Sequence, residues 1–253
     1  MTDDTSAVTF HRSTEIEAEA PTLIEGLPGH GLVASIAVDQ ITDQLGLEQY
    51  GSLRSERFPP VTSFADGLVQ DTVRVYGGTE PDVLTLQSDV PIPEDAFTEL
   101  GQCVLAELVA DFGRAIFLAG APAQSEEQQG EVVGVATTED LKTQLEDAGI
   151  ELAEGTGAVG GVTGALVTAC YQADVPVALL LVRANPRLPD PAAARSVIEN
   201  ALEPLVEFEI DTEELREQAA EIQTQKQQVA QQLQQAQDQD QQEEPMQARN
   251  MFR

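Results

Sequence analysis

The residues able to do chemistry in this chain are few and poorly matched to one another. Gly29-His30-Gly31 with Ala34 fits the G-x-G-x-x-A form of the dinucleotide fingerprint, whose glycines permit a tight strand-to-helix turn and close approach of a diphosphate. Gly155, Gly157 and Gly160 match that spacing again. Two matches weaken a cofactor reading, because any chain with several strand-to-helix turns uses glycine for turning and packing alone. The acid that would hold a ribose belongs at the end of the second strand, about twenty residues on, and Glu48 stands at a strand start instead. His30, between two glycines at a helix start, is placed where an imidazole could act as a general base. It has no nameable partner: His11 is the only other histidine, and there is no G-x-S-x-G nucleophile elbow. Carboxylates are too numerous for spacing to single out a catalytic pair. Cys103 and Cys170 lie in separate apolar stretches without a short-spacing motif, which indicates neither zinc nor a disulfide but two core residues. The site residues thus yield no catalytic group, cofactor or metal; the alternative is a nucleotide- or phosphate-binding enzyme of phosphorylase-like α/β fold using the turn 26–31.

The elements that would position these turns are legible. An apolar run, Thr22 to Glu25, precedes the Gly26–Gly31 turn, and Leu32, Ile36, Val38, Ile41 and Leu45 then follow helical spacing. Tyr50–Leu53, Leu68–Val75 and Asp82–Leu86 read as strands, with Pro59-Pro60 interrupting the chain between the first two. Pro93-Glu94-Asp95 opens a helix to about Phe112, its acids complementing the helix dipole. Ala115–Leu118, Val132–Val135 and Ile150–Leu152 read as strands, with a helix between the last two capped at Thr137 or Thr138 and ended by Gly149. The turn Gly155–Gly161, read as a buried loop, leads into a helix ending near Gln172; the strand Val177–Val182 follows, and then a helix with Asp190 as cap and Pro191 in its first turn. Strands alternating with helices predict an α/β fold with a mostly parallel sheet sandwiched by helices.

Charge settles the class of partner. Forty-four acidic against thirteen basic residues give a net charge of −31, with Lys142 and Lys226 the only lysines. Nucleic acid is therefore excluded as a direct partner. Dense aliphatic runs such as Ile116–Leu118 rule out a disordered acidic chain, leaving a solvated surface adapted to molar salt. The acidic start, Met1-Thr2-Asp3-Asp4, is unlike a secretory signal and points to the cytoplasm. The uncharged run Gly155–Ala173 holds glycines and threonines and is followed by Asp174 and Pro176, so no membrane span is expected.

From Thr212 the composition turns to Glu, Gln and Ala. Leu215, Ala219, Ile222, Lys226, Val229, Leu233 and Ala236 alternate by four and three, a heptad seam on a long helix able to form a coiled coil or to fold back on its own domain. The chain divides into an α/β domain, 1–210, a helix, 211–240, and a flexible tail, 241–253. Met251-Phe252-Arg253 sets an apolar pair in that polar tail, suited to entering a pocket as a tethered anchor.

Taken together, Leu23 to Ala34, the glycine turn Gly155 to Gly164, and Leu188-Pro189-Asp190-Pro191-Ala192-Ala193 resemble the archaeal proteasome assembly chaperone family, in that family's order and over about Pro21 to Leu205. The resemblance implies a three-layer α/β/α domain, a homo-oligomer, no catalysis, and action on proteasome core particles through their α-subunits. Within it, Gly26, Pro28, Gly29, Gly31, Gly155, Gly157, Gly160 and Gly161 are structural turn residues. Family members with a C-terminal extension end in a hydrophobic-tyrosine-any tripeptide that inserts between α-subunits, and Met251, Phe252 and Arg253 stand in those places. Phe252 keeps the ring and lacks the hydroxyl, a loss of order 1 kcal/mol if that hydroxyl is bonded.

Salt adaptation makes a direct prediction. At about 1 M salt the Debye length falls to about 3 Å and self-repulsion is muted. The melting temperature should rise steeply with KCl and the fold should be lost on dialysis to low salt; full folding without added salt contradicts it.

Overall fold

The computed structural model describes residues 8–108 and 112–247. In chain order the strands are β1 (Thr9–Arg12), β2 (Thr22–Gly26), β3 (Glu48–Arg54), β4 (Ser63–Ala65), β5 (Leu68–Gln70), β6 (Val73–Thr79), β7 (Asp82–Ser88), β8 (Arg114–Pro122), β9 (Val132–Ala136), β10 (Glu151–Leu152) and β11 (Val177–Ala184). The helices are α1 (Val33–Gln44), α2 (Phe97–Cys103), α3 (Glu139–Asp147), α4 (Gly161–Gln172), α5 (Pro191–Val197), α6 (Glu203–Val206) and α7 (Glu213–Gln247). A π-helical turn, Val104–Leu108, prolongs α2, and another, Ile198–Leu202, joins α5 to α6.

Nine strands form one sheet in the order β1-β3-β6-β7-β2-β8-β11-β9-β10. Its centre, β7-β2-β8-β11, is parallel, and that is where the most apolar strands lie. The flanks turn antiparallel: β6 runs against β7, β3 against β6, β1 against β3, and β9 against β11. Parallel strands covered on both faces are buried throughout, as β2 is with Glu25 among its buried residues, and as β11 largely is, whereas the outer strand β1 is largely exposed and polar.

Alternation along the strands assigns the layers. Leu23, Ala115, Phe117, Val177 and Leu179 join Leu100, Val104 and Leu108 of the α2 segment and Leu166 and Cys170 of α4 in one buried cluster. On the other face α1 packs on β2, β7 and β8, α5 on β11, and α3 on β9, where Gly134 makes room for Leu145. Helices thus cover both faces of the central sheet. Both cysteines are buried, and burial pushes each thiol up to about 11, so they are inert core residues.

Local signals act where the sequence places them. Thr138 Oγ1 caps α3 by accepting from Leu141 N at 3.2 Å, and Gly149 leaves that helix at φ 78°. Asp190 caps α5, with Pro191 in the first turn. One expectation changes. The stretch 68–75 is not one strand but two, β5 and β6, parted at Asp71 and Thr72: Asp71 receives both Nε and Nη2 of Arg54, and Thr72 accepts from Asp89 N. Asp66 and Gly67, both at positive φ, form the two-residue turn between β4 and β5, which pair with each other outside the main sheet.

α7 is a unit by itself and continues to Gln247, beyond 240; its backbone carries all seven heptad positions. Met251, Phe252 and Arg253 lie outside the described residues. No helix among the described residues is long and apolar enough to cross a membrane.

Candidate functional site

In parallel α/β sheets, ligands bind beyond the carboxyl ends of the strands. Here three turns meet at that edge. The 26–31 turn follows β2, the 155–161 turn precedes α4, and the 185–190 turn follows β11. Pro28, Gly29 and His30 share a cavity of about 480 Å³ with Gly160, Gly161 and the end of β8, Leu118 to Pro122. Gly155 and Gly157 line a larger groove, about 1320 Å³, over β9 and β11. The 155–160 turn is largely exposed, not the buried loop its uncharged sequence suggested, because it runs over the sheet edge and not into the core.

The turns are fixed by two buried carboxylates. Glu25 is wholly buried at the end of β2, where the ladder to β8 stops at the Glu25–Phe117 pair. The next β8 amide, Leu118 N, donates instead to Glu25 Oε2 at 3.3 Å, Leu27 N donates to Oε1 at 3.1 Å, and Thr163 Oγ1 on α4 lies 3.4 Å from both oxygens. Burial pushes the Glu25 carboxyl up to about 8, opposed by these hydrogen bonds. At neutral pH it therefore holds a proton. Asp190 anchors the third turn through hydrogen bonds. Its Oδ2 accepts from Asn185 N at 2.7 Å and Gln129 Nε2 at 2.9 Å, its Oδ1 from Ala193 N at 3.1 Å, and its own N donates to Gly31 O at 2.8 Å.

The glycines divide by what they face. A Cβ on Gly26 would lie 2.6 Å from Val38 Cβ, one on Gly120 2.2 Å from His30 O, and one on Gly31, at φ 65°, 2.9 Å from Ala184 Cβ. Gly29, Gly155, Gly157 and Gly160 have nothing within 4 Å; of the second turn, Gly155 and Gly161 sit at positive φ. The first of the two fingerprint matches therefore fails on geometry. The approach that its second glycine leaves for a diphosphate is filled here, at Gly31, by Ala184, Asn185 and Asp190. Glu48 starts β3, which is separated from β2 by β6 and β7. His30 is exposed and is the only ionisable side chain lining the smaller cavity. The arrangement holds three turns in register and presents backbone and apolar surface, including exposed Leu32 and Leu188.

Sequence reasoning found the two glycine turns and the Asp190 cap but not Glu25, Thr163 or Gly120, which join them. The available signal was an acid inside an apolar strand, Leu23-Ile24-Glu25, where a solvated charge has no place.

Comparison with known proteins matches this chain over residues 23–230 to the model of the PAC2 family. An uncharacterized protein of Methanocaldococcus jannaschii is 29% identical over 216 residues, 85% of this chain and 87% of that one. Among solved structures, PbaA of Pyrococcus furiosus, an archaeal homolog of proteasome-assembly chaperone, superposes with TM-score 0.80 at 24% identity, covering 98% of this chain and 100% of that one. PbaB of the same organism, an archaeal proteasome activator, superposes with TM-score 0.79 at 23% identity over 88% of this chain and 99% of that one.

Two outcomes check this site. Gly120→Ala should cost about 1–3 kcal/mol in chemical denaturation, since backbone and not a flexible side chain stands in the way, while Gly29→Ala, at an extended φ with open space, should be near neutral. Because the folded state holds the Glu25 proton from the ordinary carboxylate range up to about pH 8, stability falls as pH rises through that window. Melting temperature should drop between pH 5 and 8.5 less steeply in Glu25→Gln than in the parent; parallel profiles contradict a sealed, protonated Glu25.

Proposed function

Because the chain belongs to the PAC2 family, we propose that it is a non-enzymatic proteasome assembly chaperone or regulator that binds the core particle or its α-subunits, docking through Met251-Phe252-Arg253. The observation that carries this reading is the family match over 23–230, supported by the likeness of the whole fold to PbaA and PbaB, a chaperone homolog and an activator. The filled space around Gly31 and the burial of Glu25 favour a scaffolding role for the turn cluster over a catalytic one.

In this mechanism the α/β domain is a rigid carrier and the tripeptide is the anchor. An aromatic side chain such as Phe252 brings a large buried area on few rotatable bonds. The heptad positions of α7 are the means by which copies assemble, and several anchors engaging a ring of α-subunit pockets gain by avidity, so each contact need only be modest.

Co-sedimentation with purified core particle in molar salt tests the reading. The intact chain should bind and a version ending at Asn250 should not, and Phe252→Ala should weaken binding at least tenfold. Equal binding by the intact and shortened chains moves the contact to the α/β domain. Binding by neither, to core particle or to free α-subunits, overturns the proposal.

A further inference from the structure

Helices cover both faces of the central sheet, but over β9 only one face is closed. Residues paired across strands share a face, so Val133 and Val135 stand beside Leu181 and Leu179, on the side that carries Phe117 and, over the neighbouring strands, α4. α3 packs on the opposite side, where Gly134 admits Leu145. The α4 side leaves β9 open: Val133 is half-buried and Val135 is 40% exposed. These four residues, with Val159 and Val167, line the groove of about 1320 Å³, larger than the roughly 300–1,000 Å³ of a small-molecule pocket. The sheet also ends here. β10, Glu151–Leu152, pairs with β9, and among the described residues no strand lies beyond it, so its outer backbone groups are open to another strand.

We propose that this groove docks an extended segment of a partner protein, which adds to the free edge of β10 as a strand and carries apolar side chains at alternate positions with lysine or arginine between them. Charge selects that occupant. Of the four ionisable side chains lining the groove, Arg183 has an acceptor, Pro122 O at 3.4 Å, while the exposed Glu146, Glu151 and Glu154 have no partner for their carboxylates among the described residues. An acidic segment would meet three like charges on a chain of net charge −31, whereas a basic one is attracted and then paired. Shape selects an extended segment, because an edge strand offers backbone donors and acceptors, and alternate side chains can then reach over Val133 and Val135 from that edge. This inference goes beyond the proteasome reading and is tested without the proteasome.

The probe is a fluorescein-labelled peptide of alternating valine and lysine, titrated with the full chain in about 1 M KCl and followed by anisotropy. Saturable binding is expected. Exchanging its lysines for glutamate, or methylating alternate amide nitrogens so that strand hydrogen bonds cannot form, should each weaken binding at least tenfold. In the chain, Val135→Asp should do the same, whereas Val69→Asp, at an exposed valine on the β4–β5 hairpin, should bind as the parent does. Hydrogen exchange locates the contact without any variant: the peptide should slow exchange across residues 151–155 of the parent chain. No saturable binding, equal binding of the glutamate or methylated peptide, full binding by Val135→Asp, or unchanged exchange at 151–155 overturns the inference. Protection of 151–155 that grows with the concentration of the chain alone would give the groove to a second copy and overturns it as well.

Discussion

At the edge where the central strands stop being a sheet, one amide has no ladder partner, and the architecture around it depends on how that is resolved. β2 pairs with β7 and β8 and then must leave the plane to reach α1, which strands Leu118 N inside the protein. A buried unsatisfied N–H costs about 1–3 kcal/mol. Glu25 answers it with a side-chain oxygen, and its second oxygen fixes Leu27 as the turn begins. The charge that this would bury is reduced by retaining a proton, and Thr163 brings α4 to the same point. Gly26 against Val38 and Gly120 beneath His30 follow from that geometry, since the departing chain lies directly on α1 and β8.

Much of this was legible in the sequence because local chemistry and burial agree there. Val177–Val182 and Ala115–Leu118 are apolar on both faces, which only a doubly covered strand explains, and both are central. The caps at Thr138 and Asp190 lie where hydroxyl, carboxylate and proline placed them. What stayed hidden depends on partners distant in sequence. β1 is polar and takes its structure from antiparallel pairing with β3 some forty residues on. The direction of β9 against β11 is set by a long connection through α3, β10 and α4, on which periodicity is silent. The Asp66-Gly67 turn carried a readable hairpin signal, masked by apolar residues that look like one longer strand. At the site, glycine spacing located the turns but mistook their cause: Gly31 accommodates the chain's own 185–190 turn, whereas the fingerprint presumes a ligand.

A fold alone does not set a function. The edge is occupied by its own turns, held by Glu25 and Asp190. The sequence also carries a heptad-patterned helix, an apolar tripeptide and a hairpin with a single charge.

The central claim, that the tripeptide is the anchor on the core particle, is tested most directly by competition. A synthetic peptide of residues 244–253 is titrated into a preformed complex of the full chain with core particle, followed by fluorescence anisotropy of the labelled chain. The account predicts displacement by this peptide and none by its Phe252→Ala form. A complex that survives saturating peptide would contradict it and place recognition on the α/β domain.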